Sequence, residues 1–375
     1  MLVAVPKETA AGERRVALVP DAVRQLARAG LEVAVQAGAG AAASFEDKAY
    51  EAAGARLETD ATSLVAKADL VLRVQAPSDA EIASLRRGSA LIGFLRPLDH
   101  PATAARLAAA GVTSFAVELI PRTTRAQAMD ALSSQASLAG YRAVLLAALE
   151  LAKILPMMTT AAGTIAAARV LVIGAGVAGL QAISTARRLG ALVEAYDTRP
   201  AVKEQVESLG ARFVELPLDT RDAEGAGGYA KAQSDEFLAK QRELLGERVR
   251  AADAVITTAL VPGARAPLLI DAAVVSGMRP GSVIVDLAAP NGGNCALTRP
   301  DETVVASGVH VLGPTNLPSQ AAHDASRVYA RNLTALSQHL VKDGALRLDL
   351  EDEITRGALL THDGKVASEA VRAKL

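Results

Sequence analysis

The sequence has no tryptophan, and only 3% of its 375 residues are aromatic. Its core must therefore be assembled from Ala, Val, Leu and Ile, within a hydrophobic fraction of 50%. It has a single cysteine, Cys295. That excludes a disulfide framework and a cysteine-ligated metal site, and it fits a reducing compartment. Cys295 itself reads as a small buried or loop residue. Charge of one sign is also missing: 40 basic side chains face 41 acidic ones. No electrostatic case for nucleic acid or an acidic surface can be built on that balance. No stretch reaches the roughly 20 uninterrupted apolar residues of a membrane span. The best window, residues 143–162, is broken by Glu150, Lys153 and Pro156. Lys7, Glu8, Glu13 and Arg14 interrupt the N-terminal apolar run too early for a signal peptide. The expectation is a soluble cytoplasmic chain without direct membrane insertion. The five histidines, His100, His310, His323, His339 and His362, show no triad or metal-ligand spacing. Each reads as a surface or helix-face residue, and no metal is expected.

What is present is alternation. Short β runs at residues 2–8, 31–38, 69–77, 89–95 and 112–119 alternate with helical stretches such as 21–30 and 100–111. Strand–helix alternation gives a parallel sheet covered on both faces. A long helix, about residues 133–154, leads out of this region. The pattern then restarts, with strands at 168–174, 191–197, 211–217, 253–260, 282–288 and 309–313. After Pro318, one helix (321–341) and a tail with LRLDL (346–350) are too small to form a core. They are expected to return to the first domain. The fold class is thus α/β, with two Rossmann-like, doubly wound parallel-sheet domains. The expected boundaries are 1–132 plus 317–375 for a discontinuous domain, and 133–316 for the one inserted into it.

The strand at 168–174 runs into Gly174-Ala175-Gly176-Val177-Ala178-Gly179, which opens a helix. Gly174 permits a tight turn, Gly176 lets the backbone approach a pyrophosphate, and Gly179 allows close helix–strand packing. Asp197 ends the next strand, 18 residues past Gly179. That is the place of the acid that binds a ribose in dinucleotide sites. An acid there repels a 2′-phosphate and favours NAD(H). Arg199 argues the other way, because an Arg at this position can receive that phosphate. The acid is given precedence because it sits at the strand end itself. Asp286 and Asn291 also follow a strand, where ligands bind in such sheets. Strand termination and turn making explain them equally well.

Residues 121–143, PRTTRAQAMDALSSQASLAGYRA, crowd Arg122, Arg125, Gln127, Asp130, Ser133, Ser134 and Gln135 into one polar run ahead of an apolar helix. By itself this reads as a loop with a Ser/Asp helix cap. Its wording resembles the Arg-Gln-Asp loop of the NAD(H)-binding domain of proton-translocating nicotinamide nucleotide transhydrogenase. The resemblance continues through PKE, ERRVALVP, VIGAGVAGLQAI, YDTRPAVKEQVESLGA, GGYAKAQSDEF, VITTALVPG, GSVIVDLAAPNGGNC and VLGPTNLPS, in order along nearly the whole chain. It implies that Arg122, Gln127, Asp130 and Ser133 surround the nicotinamide ring. It also implies that Thr198, Thr258, Ala259 and Leu260 join the nucleotide site. Residues 219–232 resemble the family's mobile loop, with Gly225, Gly227 and Gly228 as hinge residues and Tyr229 closing on the nucleotide. The implied assembly is a homodimer whose partners are a membrane-embedded subunit and an NADP(H)-binding beta subunit. Hydride would pass directly between the two nucleotides, coupled to proton translocation.

The chain also resembles alanine dehydrogenase, which needs an Arg, a Lys and a His to handle its amino acid. Arg15 matches the first, but Gln75 and Arg96 stand where the Lys and the His belong. An alanine dehydrogenase-like enzyme is therefore the alternative, and a non-catalytic NAD-binding regulatory module a third.

Overall fold

The computed structural model describes residues 1–218, 234–261 and 263–375. The chain divides into two compact units, Met1–Gln135 with Pro318–Leu375, and Ala136–Leu317.

The first unit is built on an eight-stranded sheet. Its order is Lys365–Val366, Leu359–His362, Thr113–Ala116, Ala90–Gly93, Leu70–Leu72, Leu2–Val5, Glu32–Gln36 and Arg56–Glu58. The six N-terminal strands are parallel. Leu359–His362 runs antiparallel to Thr113–Ala116, and Lys365–Val366 antiparallel to Leu359–His362. The central strands Leu70–Leu72 and Ala90–Gly93 are buried at every residue. Helices cover both faces, so these strands read as continuous apolar runs rather than alternating ones. Arg56–Glu58 is a polar edge, and Arg56 pairs with Glu32 and Glu58 at 3.6 and 3.2 Å. Edges of this kind resist pairing with other chains. With few aromatics available, two tyrosines carry much of the bulk. Tyr50 and Tyr329 are wholly buried, and their hydroxyls donate to the carbonyls of Leu18 and Arg73 at 2.8 and 2.7 Å.

The helix Ala322–Leu340 belongs to this unit. Its inward stripe includes Ala322, Tyr329, Leu333, Leu336 and Leu340, the spacing of an amphipathic helix. The two short strands Leu359–His362 and Lys365–Val366 were not anticipated. Residues 346–350 form only the end of a small hairpin, Val341–Lys342 with Ala345–Leu346.

The second unit has seven strands, one more than the pattern suggests. The order is Arg212–Phe213, Leu192–Tyr196, Arg169–Ile173, Ala254–Thr257, Val283–Asp286, Val309–Leu312 and Thr303–Ala306. All are parallel except the last, which is antiparallel to Val309–Leu312. Chain direction across the sheet switches at Arg169–Ile173, and ligands of doubly wound sheets bind beside the carboxyl end of such a strand. An exposed hairpin, Met158–Thr160 with Gly163–Ile165, also lies in this unit. Its solvent-facing residues left no burial pattern to read.

Candidate functional site

In the second unit, the carboxyl end of Arg169–Ile173 leads directly to the glycine turn. Gly174 has φ +100°, a conformation open to glycine and strained for other residues. A Cβ there would stand 2.5 Å from Thr258 Oγ1. That hydroxyl donates to the Gly174 carbonyl at 3.0 Å and braces the turn from the neighbouring strand end. A Cβ at Gly179 would lie 1.8 Å from the same carbonyl oxygen, so the helix Val177–Arg188 can sit this close only with glycine there. Gly140 was not singled out from sequence. Its Cβ would fall 2.0 Å from the Ala178 carbonyl, so it lets a second helix meet the first turn. The available signal was a glycine inside an otherwise strong helix pattern.

Gly176 differs from these. It is the N-cap residue, and a Cβ there would meet nothing within 4 Å. The space above the helix start is open. The first turn of a helix presents backbone N–H groups without intrahelical partners and a partial positive charge. An anion such as a pyrophosphate fits this setting. Val177 and Ala178 form that turn and are half-buried, while Ala175 is buried.

Asp197 is more occupied than the sequence suggests. Its carboxylate accepts the N–H of Ala175 at 2.7 Å and that of Arg199 at 2.9 Å. Arg199 also grips it with both ends of its guanidinium, Nε at 2.9 Å and Nη2 at 2.8 Å. Both side chains are largely buried, at 5% and 13% exposure. Arg199 is thus the partner of the acid, not a separate cation, and Thr198 lies half-buried between them. Thr258, Ala259 and Leu260 follow the next strand. The Asn294 side chain holds both backbone groups of Ala259, accepting at 3.1 Å and donating at 2.9 Å. Leu260 is exposed. Tyr229 and residues 219–232 lie outside the described residues.

Asp286 is a structural residue. It is wholly buried, and its carboxylate accepts from Thr257, Ala288, Asn294, Cys295 and Thr298. The alternative of strand termination and turn making accounts for it. Cys295 lies beside it, its thiol pushed up to about 11 by burial and then by the Asp286 charge.

In the first unit, the polar run forms a short 3-10 helix, Thr124–Met129, ahead of the helix Ala131–Glu150. Ala126 and Met129 anchor it in the core. Arg122 and Gln127 are exposed, and Asp130 and Ser133 half-buried. Asp130 caps the following helix, accepting the Ser133 N–H at 2.9 Å and its hydroxyl at 2.6 Å. The capping alternative is therefore realised in Asp130, and this also fixes its carboxylate. Arg125 leaves the group, pairing with Asp352 at 2.7 Å.

A buried polar network in the same unit went unrecognised, because its members are scattered along the chain. Glu13 binds Arg15 through Nε at 2.8 Å and Nη2 at 2.7 Å. Arg15 Nη1 reaches Gln135 at 2.8 Å, and Gln75 donates to Glu13 at 2.8 Å. Burial alone would raise the Glu13 carboxyl, but the bonds from Arg15 and Gln75 outweigh it and lower it to about 2. Glu8 accepts the N–H groups of Val74 and Gln75 and pairs with Arg73 at 3.5 Å. Burial dominates there and raises its carboxyl. Arg96 turns to the surface and Asp99 at 3.3 Å.

Each histidine has its own surroundings. His100 precedes the helix Pro101–Ala109 and makes no side-chain cap. His310 bonds Glu150, His323 the Ala43 carbonyl, His339 Asp352 and Thr355, and His362 Thr113. Among the described residues, no cluster of three or more His, Cys, Asp or Glu could hold a metal ion. Nor is any helix among them long and apolar enough to cross a membrane.

Comparison with known proteins adds to this geometry. Residues 4–139 match the family model of the N-terminal domain of alanine dehydrogenase/PNT, and residues 143–369 that of the C-terminal domain. The chain is 48% identical over 379 residues to an NAD(P) transhydrogenase subunit alpha polypeptide of Rhodospirillum rubrum, covering 99% of each. The solved transhydrogenase of Sinorhizobium meliloti superimposes with a TM-score of 0.88 at 44% identity, covering 98% of this chain and 100% of that one. A solved L-alanine dehydrogenase superimposes with a TM-score of 0.83 at 26% identity, covering 100% and 98%.

Proposed function

The chain belongs to the alanine dehydrogenase/PNT family, and from that premise we propose that it is the NAD(H)-binding subunit of a proton-translocating transhydrogenase. Within the family, what favours transhydrogenase over amino-acid dehydrogenase is the state of the Arg15 network. Arg15 is bonded to Glu13 and Gln135, and Gln75 to Glu13, all inside the protein. Oxidising an amino acid requires a positioned base to take a proton as the hydride leaves. The positions where alanine dehydrogenase has its Lys and His hold Gln75 and the surface-paired Arg96. Transfer between two nicotinamides moves one hydride and exchanges no proton at either ring, so such a site is adequate.

Bound NADH supplies the hydride, which is accepted by NADP held on a partner subunit. This chain's residues bind and orient the donor. The Gly174–Gly179 turn and the start of Val177–Arg188 hold the pyrophosphate through backbone N–H groups. Asp197 receives the adenosine ribose, with Arg199 shifting its grip as the hydroxyls arrive. Thr258, Ala259 and Leu260 line the next strand end. Arg122, Gln127, Asp130 and Ser133 orient the nicotinamide, with directed hydrogen bonds suited to a carboxamide. The reacting carbons must approach within roughly 3–3.5 Å, so a partner subunit has to cover the donor ring. The assembly is a homodimer on the cytoplasmic side, peripheral to the cell membrane through a membrane-embedded subunit and the NADP(H)-binding beta subunit.

The test uses the pure chain with NADH, first alone with an acetylpyridine analogue and then with an NADP-binding partner domain. Hydride transfer should appear only with the partner. Turnover of pyruvate and ammonia by the pure chain would overturn the proposal in favour of the amino-acid dehydrogenase. Tight NADH binding without transfer in any assay would favour the regulatory module.

A further inference from the structure

The polar run that carries Gln127 is pinned on both sides by residues outside it. On one side Asn332, in the middle of Ala322–Leu340, donates from Nδ2 to the Ala128 carbonyl at 2.8 Å. Its Oδ1 accepts from the Ser134 hydroxyl at 2.8 Å, at the start of the next helix. On the other side Arg125 is held by Asp352. That carboxylate also meets His339 at 3.0 Å, and it caps Glu353–Ala358 by accepting the N–H groups of Ile354 and Thr355. Gln127 lies between the two pinned points with its side chain exposed.

The placement of Asn332 is costly without such a use. It is 8% exposed, on a helix face otherwise given to Tyr329, Leu333 and Leu336. Asn favours caps and turns over helix interiors, and a buried amide must be hydrogen-bonded to be tolerated. Both ends of this amide are spent on tying the polar run to its neighbouring helix. A leucine would have served the core.

We infer that Asn332 is a positioning residue for hydride transfer, acting through the Ala128 carbonyl to fix where Gln127 points, with Asp352 as its counterpart through Arg125. The inference rests on the proposed role of the polar run. Neither residue touches the nucleotide turn, so both act on orientation and not on affinity. A small misplacement of a positioning group costs up to about 100-fold in rate.

The experiment uses the full chain reconstituted with its NADP-binding partner. Asn332→Leu, Asp352→Asn, Gln127→Ala and the Asn332→Leu/Gln127→Ala pair are compared for melting temperature, NADH affinity and single-turnover transfer rate. Asn332→Leu should slow transfer by about 10- to 100-fold while NADH affinity stays within about threefold. In the Gln127→Ala background the same change should add little, because residues acting as a unit are not additive. Asp352→Asn keeps the cap and removes the charge that holds Arg125. It should show the same pattern more weakly, and it decides the matter if Asn332→Leu does not fold. If Gln127→Ala slows transfer and the folded Asn332 and Asp352 variants run at the wild-type rate, the inference is wrong. Fully multiplicative effects in the pair would also overturn it. If Gln127→Ala itself leaves transfer unchanged, the fault lies in the proposed role of the polar run, and the inference falls with it.

Discussion

Replacing Gly176 by valine separates binding from folding more cleanly than any other change in the nucleotide turn. The residue has φ −77° and ψ −167°, an extended conformation that a β-branched residue adopts without strain. A Cβ there meets nothing within 4 Å. Removing a glycine from such a position stabilises by about 0.4–1 kcal/mol through the unfolded state, so the melting temperature should hold or rise slightly. The pyrophosphate, however, needs the space the branched side chain would fill. Losing two charge-assisted bonds of about 1.5–3 kcal/mol each gives about 3–6 kcal/mol. At 1.4 kcal/mol per tenfold, NADH affinity falls by roughly 100- to 10,000-fold. Calorimetric titration measures the affinity, and a thermal melt the fold. Gly179→Ala is the contrasting control. Its Cβ would lie 1.8 Å from a backbone oxygen, so it should cost about 1–3 kcal/mol of stability, as overpacking does. If Gly176→Val melts normally and binds NADH within threefold of wild type, the turn is not a phosphate cradle.

Other expectations follow from single groups. NADH should bind at least about tenfold more tightly than NADPH. Asp197→Asn should narrow that gap, because it loosens Arg199 for a 2′-phosphate; equal affinities in the wild type would show that Arg199 already governs the pocket. Glu13 is lowered from 4.5 to about 2. Its contribution is therefore complete above pH 4.5 and disappears as the pH falls towards 2. The lowering corresponds to on the order of 3 kcal/mol. In urea unfolding, the stability difference between wild type and Glu13→Gln should shrink from pH 7 to pH 2.5, and a pH-independent difference would refute the assignment. Cys295, buried and with its thiol pushed up to about 11, should ignore a thiol reagent in the native chain and react after unfolding. Rapid native labelling would contradict that burial.

What could be read in advance depended on how local each constraint was. The strands Ala254–Thr257 and Val283–Asp286 are buried at every residue, so their apolar runs announced a covered parallel sheet. The glycine turn is equally local, because the shape of a tight turn is dictated by a few adjacent residues. Arg56–Glu58 escaped notice because it is a three-residue polar edge, and Leu359–His362 because its partner lies far back in the chain. The same limit hid the Glu13–Arg15–Gln75–Gln135 network, whose members look like ordinary surface polar residues until the fold gathers them. Asp286 was ambiguous for a related reason. A carboxylate at a strand end can face a ligand or cap its own loop, and only its hydrogen-bond partners tell which.

The pairing of Leu359–His362 with Thr113–Ala116 has a consequence for synthesis. A ribosome releases Thr113–Ala116 long before its antiparallel neighbour exists, so the edge of that sheet stays open while the whole of Ala136–Leu317 is translated. The second unit is one continuous stretch and can close on itself as it emerges. The first cannot be completed until Leu359–His362 leaves the tunnel. Open strand edges are templates for unwanted pairing between nascent chains. Stop codons or frameshifts ahead of Leu359 would therefore act less like trimmed tails than like exposed seams, and their products should appear in the insoluble fraction.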